Sequence, residues 1–205
     1  MMKPFKAINK LPKEFYLRDP VITAPELLGK ILVRKTGGKT LAGRIVEVEA
    51  YRGEDDAAAH SYSGKTNRNE VMFREGGLLY VYFTYGMHFC SNIVTGREGE
   101  GWAVLIRAIE PLEGIDTMAV NRFAKKEITG KEKVNLTNGP AKICRAFDIA
   151  RNENGTDLSG NRIFLADAPP VAKDNIVTAT RIGIKKAVDF MWRFYIKDNP
   201  YVSKK

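Results

Sequence analysis

The run Leu78–Val94, LLYVYFTYGMHFCSNIV, constrains this chain more than any other stretch. It is apolar, β-branched or aromatic on both sides of Tyr85-Gly86, and so reads as two short strands joined by a tight turn, a β-hairpin. Period-two geometry sends Tyr80, Tyr82 and Thr84 to one face and Val81, Phe83 and Tyr85 to the other. Tyr85 then stands at the tip. Two strands cannot bury a ring at their own tip, so it must pack on the rest of the protein or enter a partner. The chain carries 33 Lys and Arg against 24 Asp and Glu, a formal charge of +9, which favours a polyanionic partner and suggests a wedge for stacked bases. Charge alone does not select nucleic acid; base-stacking residues must decide.

With 205 residues, 44% of them hydrophobic, one well-filled domain is expected over residues 19–205, preceded by a basic, flexible N-terminal arm, residues 1–18, that Phe15 and Tyr16 anchor. The start MMKPFKAINK lacks the apolar run of a signal peptide, and no stretch approaches the ~20 apolar residues of a membrane span. The expectation is an intracellular protein without membrane contact, in cytoplasm or nucleoid if prokaryotic and in the nucleus if eukaryotic. Cys90 and Cys144 are too few for a disulfide framework or a four-ligand metal site, and both read as reduced core cysteines.

Along the chain, Thr23 and Glu26 have capping-box spacing, which predicts a helix from Thr23 that stops at Gly29. Ile31–Arg34 and Leu41–Tyr51 read as a strand pair linked through Gly37-Gly38. In the second strand Val46, Val48 and Ala50 form one face, and Ile45, Glu47, Glu49 and Tyr51 the other. GEDDAAAH (53–60) reads as a helical turn opened by Asp55 or Asp56 and ending at His60. Trp102–Arg107 is a buried strand stopped at Glu110-Pro111, Ile115–Phe123 a helix, and Lys125–Lys133 a mobile surface loop. Asn138-Gly139-Pro140 opens a helix whose N-terminus, with Lys142, is a candidate phosphate site. Ile163–Ala166 and Ile176–Ile184 read as strands, and 187–196 closes the sheet edge. Strands and helices do not alternate as βαβ units, so an α+β single domain is predicted, a mainly antiparallel curved sheet surrounded by helices.

Only two histidines are present, and no HExxH, CxxC pair, GxSxG elbow, GxxxxGK[ST] loop or GxGxxG follows the expected elements. Zinc, serine-triad and nucleotide-cofactor chemistry therefore lack support, and no cofactor or metal is expected. What remains is a carboxylate among aromatics: Glu47 or Glu49 with Tyr51, His60, Tyr82 and Tyr85. A carboxylate between aromatic faces serves as general base for a water, and aromatic walls hold a planar base removed from its stack. Patterning does not choose between the two glutamates. The plainer reading of each is structural: glutamates decorating a solvated strand edge, core tyrosines with bonded hydroxyls, and His60 closing a turn. Asn92 fits that reading least, because a buried amide must be satisfied or face a site.

The blocks GRIVEVEAY (43–51), AAAHS (57–61), NRNEVMF (67–73), LLYVYFTYGMHFCSN (78–92), AVLIRAIEPLEG (103–114), NGPAKICRAFDI (138–149) and RIGI (181–184) resemble, in order, the alkyladenine (3-methyladenine) DNA glycosylase family, the mammalian type with bacterial members. The resemblance runs from about Thr23 to Ile196. It implies a monofunctional DNA glycosylase of base excision repair, a monomer that flips alkylated or deaminated purines out of double-stranded DNA through a protruding, DNA-inserting hairpin. It hydrolyses the N-glycosidic bond and leaves an abasic site; 3-methyladenine, 7-methylguanine, hypoxanthine and etheno-adenine are the implied substrates. By the same resemblance Glu49 activates the water, with Glu47 in support. Tyr51 stacks on the flipped base, His60 holds the base edge and sugar phosphate, and Tyr82 is the opposite wall. Tyr85, with Met87 beside it, fills the hole in the duplex; Asn92 crowds the amino group of guanine; Arg107 contacts the backbone near the lesion. His88 stands where a tyrosine is common, and Met191 where bacterial members often have proline. Two rivals from other classes are a non-catalytic nucleic-acid-binding module and a hydrolase of small glycosidic substrates using the Glu47/Glu49 pair.

Overall fold

The computed structural model describes residues 9–84 and 86–204. Residues 1–8 and Tyr85 lie outside them, and with them the first part of the expected arm and the expected inserting ring. In chain order the elements are α1 (Lys13–Tyr16), α2 (Pro20–Leu27), β1 (Ile31–Thr36), β2 (Lys39–Arg52), β3 (Leu78–Thr84), β4 (His88–Thr95), β5 (Trp102–Glu113), α3 (Ile115–Phe123), α4 (Gly130–Asn135), α5 (Pro140–Ala146), β6 (Thr156–Asp157), β7 (Ile163–Ala166), β8 (Ile176–Ala179) and β9 (Arg193–Ile196). The strands form one antiparallel sheet in the order β6-β3-β4-β5-β2-β1-β7, with β9 also on β2 and β8 on β9. It curls into a half-barrel beside a few helices, the expected α+β class.

β2 is the axis. One edge pairs with β5 along most of its length; the other pairs first with β1 and then, from Glu47 to Glu49, with β9. The β2/β5 register slips twice around Glu47. Ile45 faces Ile109, Glu47 faces Ala108 and Val48 faces Ile106, so Val46 is an extra residue on β2 and Arg107 an extra residue on β5. Such bulges re-aim side chains. They correct the simple alternation expected of this strand: Ile45 shares the main core with Val48 and Ala50, whereas Val46 packs with Ala108 and Tyr201. Leu32, Ile45 and Ile106 are fully buried, each contributing about 2 kcal/mol by transfer from water.

Several expected boundaries move, each for a local reason. α2 starts at Pro20, not Thr23, because Asp19 caps it by accepting from Val21 N–H and Pro20 needs no N–H partner. Residues 53–60 are not one helical turn closing at His60; a 3-10 turn covers Gly53–Asp55 only. β5 continues through Pro111 to Glu113, tolerated because Pro111 sits beside a further register slip opposite Gly43. The expected loop Lys125–Lys133 contains the start of α4, closed by a capping box between Thr129 and Glu132. β8 ends at Ala179, and residues 180–184 leave the sheet. Anchoring of the N-terminal segment begins before Phe15: Leu11 and Tyr16 are buried, and Lys10 bridges Ala166. Cys90 and Cys144 are buried and free. Among the described residues no helix is long and apolar enough to cross a membrane.

Candidate active site

β3 and β4 pair from Leu79↔Ile93 to Thr84↔His88, and their inner face supplies one wall of a cavity of about 550 Å³. Tyr80, Tyr82, Thr84, Cys90 and Asn92 line it from β3 and β4, as period-two geometry requires. Tyr51 lines it from β2, Leu105 and Arg107 from β5, Ala57, Ala58 and His60 from the turn after β2, and Ile182–Lys186 from the segment after β8. Tyr80 and Tyr82 stack with centroids 5.5 Å apart, and the His60 ring meets Tyr82 edge-on at 4.5 Å. His60 Nδ1 lies 3.2 Å from the Tyr80 hydroxyl. Burial, and then the Arg68 charge, push the His60 imidazole below its ordinary value, and burial pushes the Tyr80 phenol up to about 12. Burial likewise raises Tyr82 and the Cys90 thiol.

Both glutamates of β2 are 0% exposed, which removes the solvated-edge reading. Glu49 sits directly behind the cavity wall. Its Oε2 accepts from the Tyr51 hydroxyl at 2.9 Å and Arg107 Nη1 at 3.2 Å, and its Oε1 accepts from Ile182 N–H at 2.7 Å. All three donors belong to lining residues. Burial first, and the adjacent Glu49 carboxylate second, hold the Tyr51 phenol well above its ordinary value, so it stays a donor. Glu47 points the same way and is fully engaged: it takes Arg193 Nη1 at 3.0 Å and Ser203 N–H at 2.7 Å, with Arg107 Nε 3.4 Å away. Arg107, the bulged residue, thus lies between two carboxylates.

A family model described as methylpurine-DNA glycosylase matches residues 14–200. The chain belongs to the methylpurine-DNA glycosylase family. A protein of Desulfitobacterium hafniense (strain Y51), provisionally named a 3-methyladenine DNA glycosylase, is 50% identical over 204 residues, covering 97% of this chain and all of its own length. Similarly named proteins of Clostridium perfringens (strain 13 / Type A) and Carboxydothermus hydrogenoformans are 49% and 50% identical over 96% and 95% of this chain. This glycosylase is therefore a hydrolase of N-glycosyl bonds that acts on DNA in base excision repair.

Of the residues expected at the site, Tyr51, His60, Tyr82, Asn92 and Arg107 line one cavity in the glycosylase, and Glu49 backs it. Asn92 is buried, and its amide reaches only 3.5 Å from the Tyr80 carbonyl, a weak bond that leaves donor capacity toward the cavity. Arg107, expected at the DNA backbone, is 8% exposed and bonded to Glu49 inside the cavity wall. Met87 is 69% exposed, and Tyr85 lies outside the described residues. Lys142 does not join the cavity lining: its Nζ donates to the Asn135 and Asn138 side chains, and α5 has only seven residues. Sequence reasoning offered Asp56 only as an opener of the 53–60 turn and gave Arg181 and Arg193 no role of their own; the three hold the cavity wall from behind. Their pairings span 125 residues or more, and the quoted RIGI block was the one trace of them. Among the described residues no cluster of three His, Cys, Asp or Glu side chains is placed to hold a metal ion.

Proposed function

We propose that the protein, as a monomer on double-stranded DNA, extrudes a damaged purine into the cavity bounded by Tyr51 and Tyr82 and hydrolyses its N-glycosidic bond with a water activated by Glu49. The observation that carries this reading is the buried Glu49 carboxylate bonded to three residues of an aromatic-lined cavity wall. A carboxylate oxygen accepts about two hydrogen bonds, and Oε1 takes one, from Ile182; its second acceptor position suits a water. That water attacks the anomeric carbon, its proton passes to Glu49, and the bond electrons leave with the purine. The carboxylate also stabilises the oxocarbenium-like sugar before attack completes.

The aromatic walls add selection. Alkylation puts positive charge on a purine, so 3-methyladenine and 7-methylguanine leave readily and are attracted to the Tyr51 and Tyr82 faces. Hypoxanthine and etheno-adenine are the neutral members of the proposed range. Asn92 in the floor would crowd the amino group of normal guanine, and His60 would hold the base edge. Extrusion costs a few kcal/mol, roughly, and least at damaged pairs; Tyr85, by its place in the sequence before Gly86, and exposed Met87 are the residues that would fill the gap.

The test is single-turnover base release from duplexes carrying one 7-methylguanine or one hypoxanthine. Glu49→Gln should slow release by about 10²–10⁴-fold with lesion-duplex binding retained. Wild-type release by Glu49→Gln would remove Glu49 as the base.

A further inference from the structure

Three consecutive residues after β8 are each tied to a different part of the molecule. The Thr180 carbonyl accepts from Arg193 Nε at 2.9 Å, Arg181 reaches Asp56, and Ile182 N–H donates to Glu49 at 2.7 Å. The middle tie is the strongest. Arg181 and Asp56 side chains are both 0% exposed and meet through two parallel bonds, Nη2 to Oδ1 at 2.7 Å and Nη1 to Oδ2. Nη1 also donates to the Ala50 carbonyl at 2.9 Å, and Nη2 approaches the Ala187 carbonyl at 3.4 Å. The guanidinium lies 4.7 Å from the Tyr51 ring centroid and 5.2 Å from that of Trp192.

Stability does not explain this arrangement well. A buried ion pair recovers little more than its own desolvation, and here Arg181 Nε is left without a partner, a further cost. What the pair does accomplish is geometric. It joins β2, the 53–60 turn and the 180–187 segment at one planar cation, one residue from the N–H that orients Glu49 and against the ring that both bonds Glu49 and walls the cavity.

We propose that Arg181, clamped by Asp56, is a positioning residue of the glycosylase reaction: it sets the Tyr51 ring from one side and presents Ile182 N–H to Glu49. The inference rests on Glu49 acting as the base. It concerns the rate at the bound lesion, not lesion capture, because neither Arg181 nor Asp56 lines the cavity.

The experiment measures single-turnover excision of hypoxanthine from a duplex at saturating enzyme, and separately the affinity for a duplex carrying a tetrahydrofuran abasic analogue. In Asp56→Asn/Arg181→Met the charges are removed together, so no lone buried charge remains. Excision should fall by about a hundredfold, the scale expected when a reacting group is displaced by about 1 Å, with affinity nearly unchanged. Arg181→Lys keeps the charge but loses the planar fork, and should fall by about tenfold, again at unchanged affinity. Wild-type excision by either folded variant, or equal losses in rate and affinity, overturns the proposal. Glu49→Gln run beside them separates the two claims: an inactive Glu49→Gln with a fully active double variant sinks the clamp alone, whereas an active Glu49→Gln sinks the reading beneath it.

Discussion

The middle of β2 and the turn end of β3 and β4 are built on opposite principles. Around Glu47 and Glu49 both carboxylates are fully buried, and β5 and β9 pair with the strand on either side. At the far end of β3 and β4, Gly86 has positive φ and nothing within 4 Å of an added Cβ, Phe83 is exposed and Met87 more so. In the proposed reaction the first region would hold the reacting groups in place before substrate arrives, and the exposed apolar side chains of the second would meet the DNA. The proposed reaction on an extruded base would need both, since its chemistry requires preorganisation and an insertion requires a surface left uncovered in the free protein.

That contrast is open to direct attack. The largest effect on activity should come from Glu49→Gln, with base release slower by about 10²–10⁴-fold in a variant that still folds. Next, Glu47→Ala should destabilise by about 3–5 kcal/mol in urea unfolding, because Arg193 and Arg107 then share a buried region with one carboxylate fewer. If Glu47→Ala instead spares stability, the middle of β2 is less tightly specified than its contacts imply. A smaller effect concerns pH. The His60 imidazole is held below its ordinary value of 6.5 by burial and by Arg68, so below pH 6.5 the unfolded chain takes up a proton that the folded one resists. Stability should therefore decline as pH falls from 6.5 toward the depressed folded value, and His60→Gln should flatten that part of the curve. The smallest change in stability, within about 0.5 kcal/mol, is expected for Met87→Ala. Its effect should show instead as weaker binding to lesion duplexes in a titration; unchanged binding would remove Met87 from the DNA-facing surface.

Much of this was legible in the residues. Alternation along 78–84 placed Tyr80 and Tyr82 on one face, and that face lines the cavity. Gly37-Gly38 marked the β1–β2 turn, where both glycines have positive φ. Other features were written in the sequence but outweighed. Asp19-Pro20 is a helix start as clear as Thr23 to Glu26, and Thr129 to Glu132 is a capping box inside a stretch whose lysines suggested only a loop. The double slip around Glu47 had no local signal, because a bulge depends on the partner strand. Nor could patterning prefer Glu49 to Glu47. Both are buried on the same side, and what separates them is the company each keeps: Tyr51 and Ile182 from the cavity wall for one, Arg193 and Ser203 for the other.

The two extra residues, Val46 on one strand and Arg107 on the other, cancel. Each alone would shift the pairing of every later residue by one; together they restore the β2/β5 register within three residues. The distortion is therefore self-contained, a local knot that positions one cation between two acids while the pairing from Val48 to Arg52 runs in regular register beyond it. Substitutions that repack β2 and β5 before the bulges, where residues 42–44 pair with 110–113, should leave the acid–cation spacing intact, which makes that flank the place to stabilise the enzyme without touching the cavity wall.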